Sequence, residues 1–138
     1  ISLTVLSSSI VTQHGECHDA LVSEIQPWIT APSFQLFSTS ITNRAYAKAI
    51  RQACTSTEPA ALELLKIVLS YQNKLNIDIN EQAGADNRAA LHWAALKNNE
   101  SAYKLLIAHG AKDGPDNNGY SASDYARQYF SSLPQANY

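Results

Sequence analysis

The chain of 138 residues has no paired cysteine framework, no run of basic residues and no long apolar stretch. Each absence removes a class of function. The two cysteines, Cys17 and Cys54, could form at most one bridge. The expectation is reduced thiols and a cytosolic chain rather than a secreted disulfide scaffold. Ten Lys and Arg are scattered among twelve Asp and Glu, for a net charge of −2. That balance shows neither a nucleic-acid footprint nor a membrane-binding cluster. No segment reaches the ~18 to 20 continuous apolar residues of a membrane span. Residues Ile1 to Val11 are apolar but lack a basic lead and a small-residue cleavage site, which argues against a signal peptide. Because the chain opens on Ile1, it is expected to be a piece of a longer protein, with any enzymatic activity outside it.

Motifs that carry chemistry are equally scarce. No phosphate-cradling Gly-rich loop, no Cys-x-x-Cys and no nucleophile elbow is present. The segment His14-Gly15-Glu16-Cys17-His18-Asp19 gathers metal-ligating and nucleophilic groups. Tetrahedral zinc, however, needs a second pair at finger-like spacing, and the next candidates are Cys54 and His92. A Cys17–His dyad would also require a base alongside and an oxyanion hole. A polar turn is the expectation, with no catalytic residue, no metal and no cofactor. Asn99-Glu100-Ser101 matches the N-glycosylation signal but should lie in a tight inter-helix turn, so its use is not expected.

What the chain does have is helical periodicity. Between Thr57 and Tyr71, the residues Ala61, Leu62, Leu65, Val68 and Leu69 recur at three- and four-residue intervals, the spacing of one buried stripe. Thr57 is the expected N-cap, with Pro59 in the first turn. A short Ala-rich helix is expected at about Ala89 to Lys97 and another at about Glu100 to His109. The second should be capped by Asn98 or Asn99, face Ala102, Leu105 and Leu106 inward, and close on Gly110 in the left-handed conformation. Gly114 to Gly119 should form a loop. Ser121 and Asp124 have capping-box spacing for a last helix ending near Phe130. Ser131 to Pro134 stands where a further helix would begin, leaving a half repeat with an exposed apolar end.

The run Ala89-Ala90-Leu91-His92-Trp93-Ala94-Ala95, followed by Leu105-Leu106-Ile107-Ala108-His109-Gly110-Ala111, resembles an ankyrin repeat. A shift of 41 residues lays Ile50 to Cys54 on Leu91 to Ala95 and Leu64-Leu65 on Leu105-Leu106. A shift of 32 lays Gly119 to Ala126 on Asn87 to Ala94. Since the repeat period is about 33 residues, the extra length between the first two copies should sit in Ser70 to Asn80. The resemblance covers roughly Asn43 to Phe130. It implies an all-α, ankyrin-type helical solenoid of about two and a half repeats (about 43–83, 84–115 and 116–138), because one such unit cannot bury its own apolar face. Residues 1–42 lie outside the pattern, as either a non-repeat N-terminal cap or the tail of a preceding domain. Within them, Leu3 to Val11 reads as a strand or an extended arm and Ala20 to Ile29 as a short helix ended by Pro27. Trp28, Phe34, Leu36 and Phe37 are the expected covering residues.

The resemblance also implies a function: holding a protein partner, with no nucleic acid or membrane involved. The displayed positions correspond to Asp86, Arg88, Leu96 and Lys97 in the central repeat, and to Asn117, Asn118, Tyr120, Gln128 and Tyr129 in the last. His92 is implied to be structural, bonding within and between repeats. With Ala89 in place of the family's Thr, it should be held less rigidly. His109 is expected to favour the negative end of its helix. The chain should be a monomer unless the exposed half repeat pairs. The rival reading is a structural tail that scaffolds the catalytic domain of a larger enzyme. Such enzyme-plus-repeat proteins are secreted by bacteria that live inside host cells, which would place this one in the host cytoplasm.

Overall fold

The structure, a computed structural model, describes residues 15–130. Helix α1 covers residues 15–25 and a 3-10 turn covers Pro32–Phe34. The following helices are α2 (Gln35–Thr42), α3 (Tyr46–Cys54), α4 (Pro59–Ser70), α5 (Ala90–Leu96), α6 (Glu100–Ala108) and α7 (Ala122–Tyr129). No strand longer than an isolated bridge occurs among the described residues. The pairs α3–α4 and α5–α6 are helix-turn-helix units. Helices α3, α5 and α7 stack into one layer, α4 and α6 form the second, and α2 packs on the free side of α3. This is the helical solenoid that the repeat pattern implies.

The stack is close because of alanine. Ala49, Ala90 and Ala122 hold equivalent places on α3, α5 and α7, as do Ala53, Ala94 and Ala126, and all six are buried. Larger side chains there would push the helices apart, and overpacking costs about 1–3 kcal/mol. The volume between layers is filled from the outer helices by Leu64, Leu65, Val68, Leu69 and Leu106, all buried. Truncating any one of these leucines to Ala should cost about 2–5 kcal/mol. The extra length of the first unit is taken up by a longer α4, 12 residues against nine in α6, and by the turns that follow it. In that segment Asn76 (φ 51°) takes the left-handed role that Gly110 (φ 91°) plays after α6. Each lets the next residue donate back, Ile77 N–H to the Gln72 carbonyl and Ala111 N–H to that of Leu106, at 2.9 Å in both cases.

Several expectations are corrected. Thr57 does not cap α4; Glu58 is the N-cap, with Pro59 at the first helical position. Leu64 rather than Leu62 completes the stripe of α4, and Leu105 is only partly buried. Residues 15–19 are helical rather than a polar turn, so the N-terminal helix occupies residues 15–25 and the chain turns over 26–30, around Pro27. The helical backbone buries His18, whose Nδ1 meets the Tyr46 hydroxyl at 2.6 Å. Burial and the Arg44 cation push its pKa down. The covering contacts come from Leu21, Ile25, Ile29, Phe34, Phe37 and Ile41, which join the core of α3 and α4. Trp28 and Leu36 remain exposed, because the 34, 37, 41 spacing of α2 turns Leu36 outward. The readings made for Leu3 to Val11, for His14 and for Ser131 to Pro134 lie outside the described residues.

Candidate protein-binding face

Each unit hands over to the next through a finger that ends at an N-cap. In the second finger, Asp116 to Gly119 turns tightly, Gly119 at φ 82° taking a conformation a Cβ would penalise. The turn is tied by a buried carboxylate. Asp116 Oδ1 accepts the backbone N–H groups of Asn118 (2.9 Å) and Tyr120 (3.1 Å). Its Oδ2 accepts the Tyr125 hydroxyl (2.5 Å) and Arg88 Nε (3.3 Å). Burial by itself would raise this carboxyl's pKa. The bonds from Tyr125, from the Tyr120 and Asn118 amides and from Arg88 outweigh it, and hold the value at about 2. At the next step, Ser121 Oγ accepts from Asp124 N–H while the Asp124 carboxylate accepts from Ser121 N–H, the reciprocal capping box that starts α7.

His92 joins one repeat to the next. Its Nδ1 accepts the Ala89 N–H at 3.1 Å and its Nε2 faces the Tyr120 carbonyl at 3.3 Å. Both ring nitrogens are engaged and the ring is edge-on to Tyr125, so His92 keeps one contact within its repeat and one to the next although Ala89 has no hydroxyl to add a further bond. His109 is the C-cap of α6, its Nδ1 3.0 Å from the Leu105 carbonyl. Asn99 ties α6 to the previous unit. Its side-chain oxygen caps Ala102 N–H, while its amide nitrogen donates to the carbonyls of Cys54 (3.2 Å) and Ser56 (2.8 Å). That nitrogen is the atom glycosylation would need, so the signal is structurally occupied.

The implied display positions fall into two groups. Asp86, Lys97, Asn117, Asn118, Tyr120, Gln128 and Tyr129 are exposed. Arg88 and Leu96 are half-buried. The Arg88 guanidinium is engaged internally, with Asp86 at 3.2 Å and Asp116 at 3.3 Å, and it lies over the rings of Trp93 and Tyr125. Leu96 packs on the small core of Ala95, Tyr125, Ala126 and Phe130. Asn117 also fastens one finger to the other, its side-chain amide donating to the Ala85 carbonyl at 2.8 Å.

Two hollows open beside the inner layer. One, about 460 Å³, is lined by Lys48, Arg51 and Gln52 of α3, by Ala83 and Gly84 of the first finger and by Trp93. The other is lined by Gly119, Tyr120, Asp124, Tyr125 and Gln128. Sequence reasoning missed the roles of Asp116, Tyr125 and Trp93 and the first hollow. The Asp-x-x-Gly spacing of Asp116 and Gly119, with Asp116 five residues ahead of the capping-box Ser121, was the available signal for the finger's carboxylate. Lys48 and Arg51 carried no comparable mark, being two ordinary helix cations.

Among the described residues no cluster of three or more His, Cys, Asp or Glu is arranged to hold a metal. No described helix is long and apolar enough to cross a membrane. The family model for ankyrin repeats (3 copies) matches residues 50–133, more than half of the chain. No curated protein and no solved structure matches it. Ankyrin repeats as a class are non-catalytic modules of protein–protein interaction. With its stacked inner helices, its carboxylate-tied finger and a match that runs from α3 through α7, this chain belongs to the ankyrin repeat family.

Proposed function

We propose that the chain is a docking wall that holds a segment of a partner protein against its fingers and inner helices, on the concave side of the stack. The displayed set is Asp86, Lys97, Asn117, Asn118, Tyr120, Gln128 and Tyr129, with Arg88 and Leu96 at its edge. The observation that carries this reading is Tyr120. Its N–H donates to Asp116, and its carbonyl accepts from the Asp116 N–H at 2.8 Å and faces His92 at 3.3 Å. Its side chain is nevertheless 54% exposed. A large side chain on fixed backbone loses little entropy on binding, and tyrosine is among the residue types that most often anchor interfaces. Tyr129, 44% exposed on α7, adds a second such group. The two free thiols support a reducing compartment such as the cytosol.

The test is the double variant Tyr120→Ala/Tyr129→Ala. Affinity capture with the variant should lose the partner that the wild-type chain retains, while its melting temperature stays within about 3 °C, as expected for exposed side chains. Retained capture overturns the reading. A large stability loss would instead place both tyrosines in the core and favour the rival role, a tail packed against a catalytic domain.

A further inference from the structure

The hollow between α3 and the first finger has a charge character that the chain as a whole lacks. Acidic residues outnumber basic ones overall, yet the charged residues lining this hollow are Lys48 and Arg51, and no Asp or Glu is among its lining. Arg51 is anchored: its Nη1 reaches the Glu81 carboxylate at 3.0 Å and the Glu81 carbonyl at 3.1 Å. The Glu81 side chain itself borders a different hollow, with Arg44, Tyr46 and Asp78. Lys48 is exposed, and no carboxylate among the described residues pairs with it. Trp93 offers a half-buried indole on the opposite wall, with the Arg88 guanidinium 5.5 Å from the centre of its ring.

We propose that this hollow seats a carboxylate-bearing stretch of the partner protein, Lys48 meeting an Asp or Glu side chain while an apolar neighbour of that residue lies on Trp93. The proposal rests on the docking-wall reading and adds to it the chemistry and direction of the bound segment. At the far end of the wall the hollow of α7 has Asp124 as its charged lining residue, a carboxylate already bonded to Arg127 at 2.8 Å and to the Ser121 N–H, and no cation lines that hollow to attract an acidic side chain. The acidic end of the segment therefore lies over α3 and not over α7.

Two peptide pools of equal length and equal apolar content, one carrying Asp and Glu and the other Lys and Arg, test this with the 138-residue chain. With Trp28→Phe as background, the fluorescence of Trp93 reports occupancy of the hollow. The acidic pool should shift that signal saturably, more weakly as salt is raised, and the basic pool should not. Lys48→Glu should weaken the acidic pool by roughly fivefold or more, and Lys48→Arg should restore it. Lys48→Gln, which carries no repulsive charge, should fall between them, and melting curves of all variants should match the wild type. Equal response to both pools, or full binding of the acidic pool by Lys48→Glu, overturns the proposal. Partner capture lost in the double tyrosine variant but unchanged in Lys48→Glu would also overturn it while leaving the docking wall standing.

Discussion

Replacing Asp116 by Asn removes one charge from the point where the second finger, the central repeat and α7 meet. The carboxylate is fully enclosed and accepts four bonds, two from backbone amides and two from Tyr125 and Arg88. A carboxamide has a single oxygen. If that oxygen keeps the two amides, the NH2 group is left facing the Arg88 donor, and a charge-assisted bond is exchanged for a repulsive contact. Hydrogen bonds to charged groups are worth about 1.5–3 kcal/mol, so the variant should lose roughly 2–3 kcal/mol at pH 7. The lowered proton affinity of the carboxyl expresses the same bonds as a pH dependence. A pKa held at about 2 rather than the ordinary 3.8 corresponds to roughly 2 kcal/mol of stability, at about 1.4 kcal/mol per tenfold change. Because the folded value lies below the unfolded one, this stability is fully present above about pH 5. It falls to roughly half near pH 3 and is nearly gone near pH 2. Urea unfolding followed by circular dichroism at pH 7 and pH 3 should therefore show the gap between wild type and Asp116→Asn narrowing by about 1 kcal/mol. Asp124, whose carboxyl pKa is lowered chiefly by the backbone and hydroxyl of Ser121, titrates equally in both proteins and cancels. A gap of the same size at the two pH values would refute the argument, as would a gap below about 0.5 kcal/mol at pH 7, the range of ordinary surface changes.

Other expectations follow from single contacts. Asn99→Ala removes a helix cap worth about 1 kcal/mol and leaves the Cys54 and Ser56 carbonyls without their donor. The total cost should be roughly 2–3 kcal/mol by denaturant unfolding, and a cost below half of that would mean that water replaces the amide. Expressed through a secretory pathway, the chain should show no glycan at Asn99 by mass spectrometry. Gly110→Ala meets open space around a new Cβ, so only the positive φ opposes it; a loss of about 1–2 kcal/mol is expected, and no loss would mean that the turn has rearranged. With a thiol reagent at neutral pH, half-buried Cys17 should react no faster than a free thiol. Cys54, buried and with its pKa pushed far up by desolvation, should react only on unfolding. Two equivalents of fast labelling in the native protein would contradict the packing of α3.

The sequence showed most plainly those features whose cause is local. The Ala-rich helix with His92, the cap at Asn99, the left-handed Gly110 and the Ser121–Asp124 box are each written within a few residues, and each forms as its spacing dictates. Thr57 yields the cap position to Glu58 because the residue before Pro59 favours an extended backbone, which lets Glu58 serve without a side-chain bond. The segment 15–19 carries the polar side chains of a turn, yet it is helical because burial of Leu21 and Ile25 further along the same helix holds it against the core.

What the sequence alone determined is the repeating unit and its stacking, since small residues at matching places on three helices admit only close neighbours. Contacts between distant residues were decided by the tertiary structure alone. Arg88, read from its position as an arm for the partner, is drawn inward by Asp116 and Tyr125, 28 and 37 residues away. Lys48 and Trp93, on different repeats, border one hollow only because α3 and α5 lie side by side. Periodicity is a property of neighbours along the chain, whereas the charge of a hollow depends on which surfaces the stacking brings together.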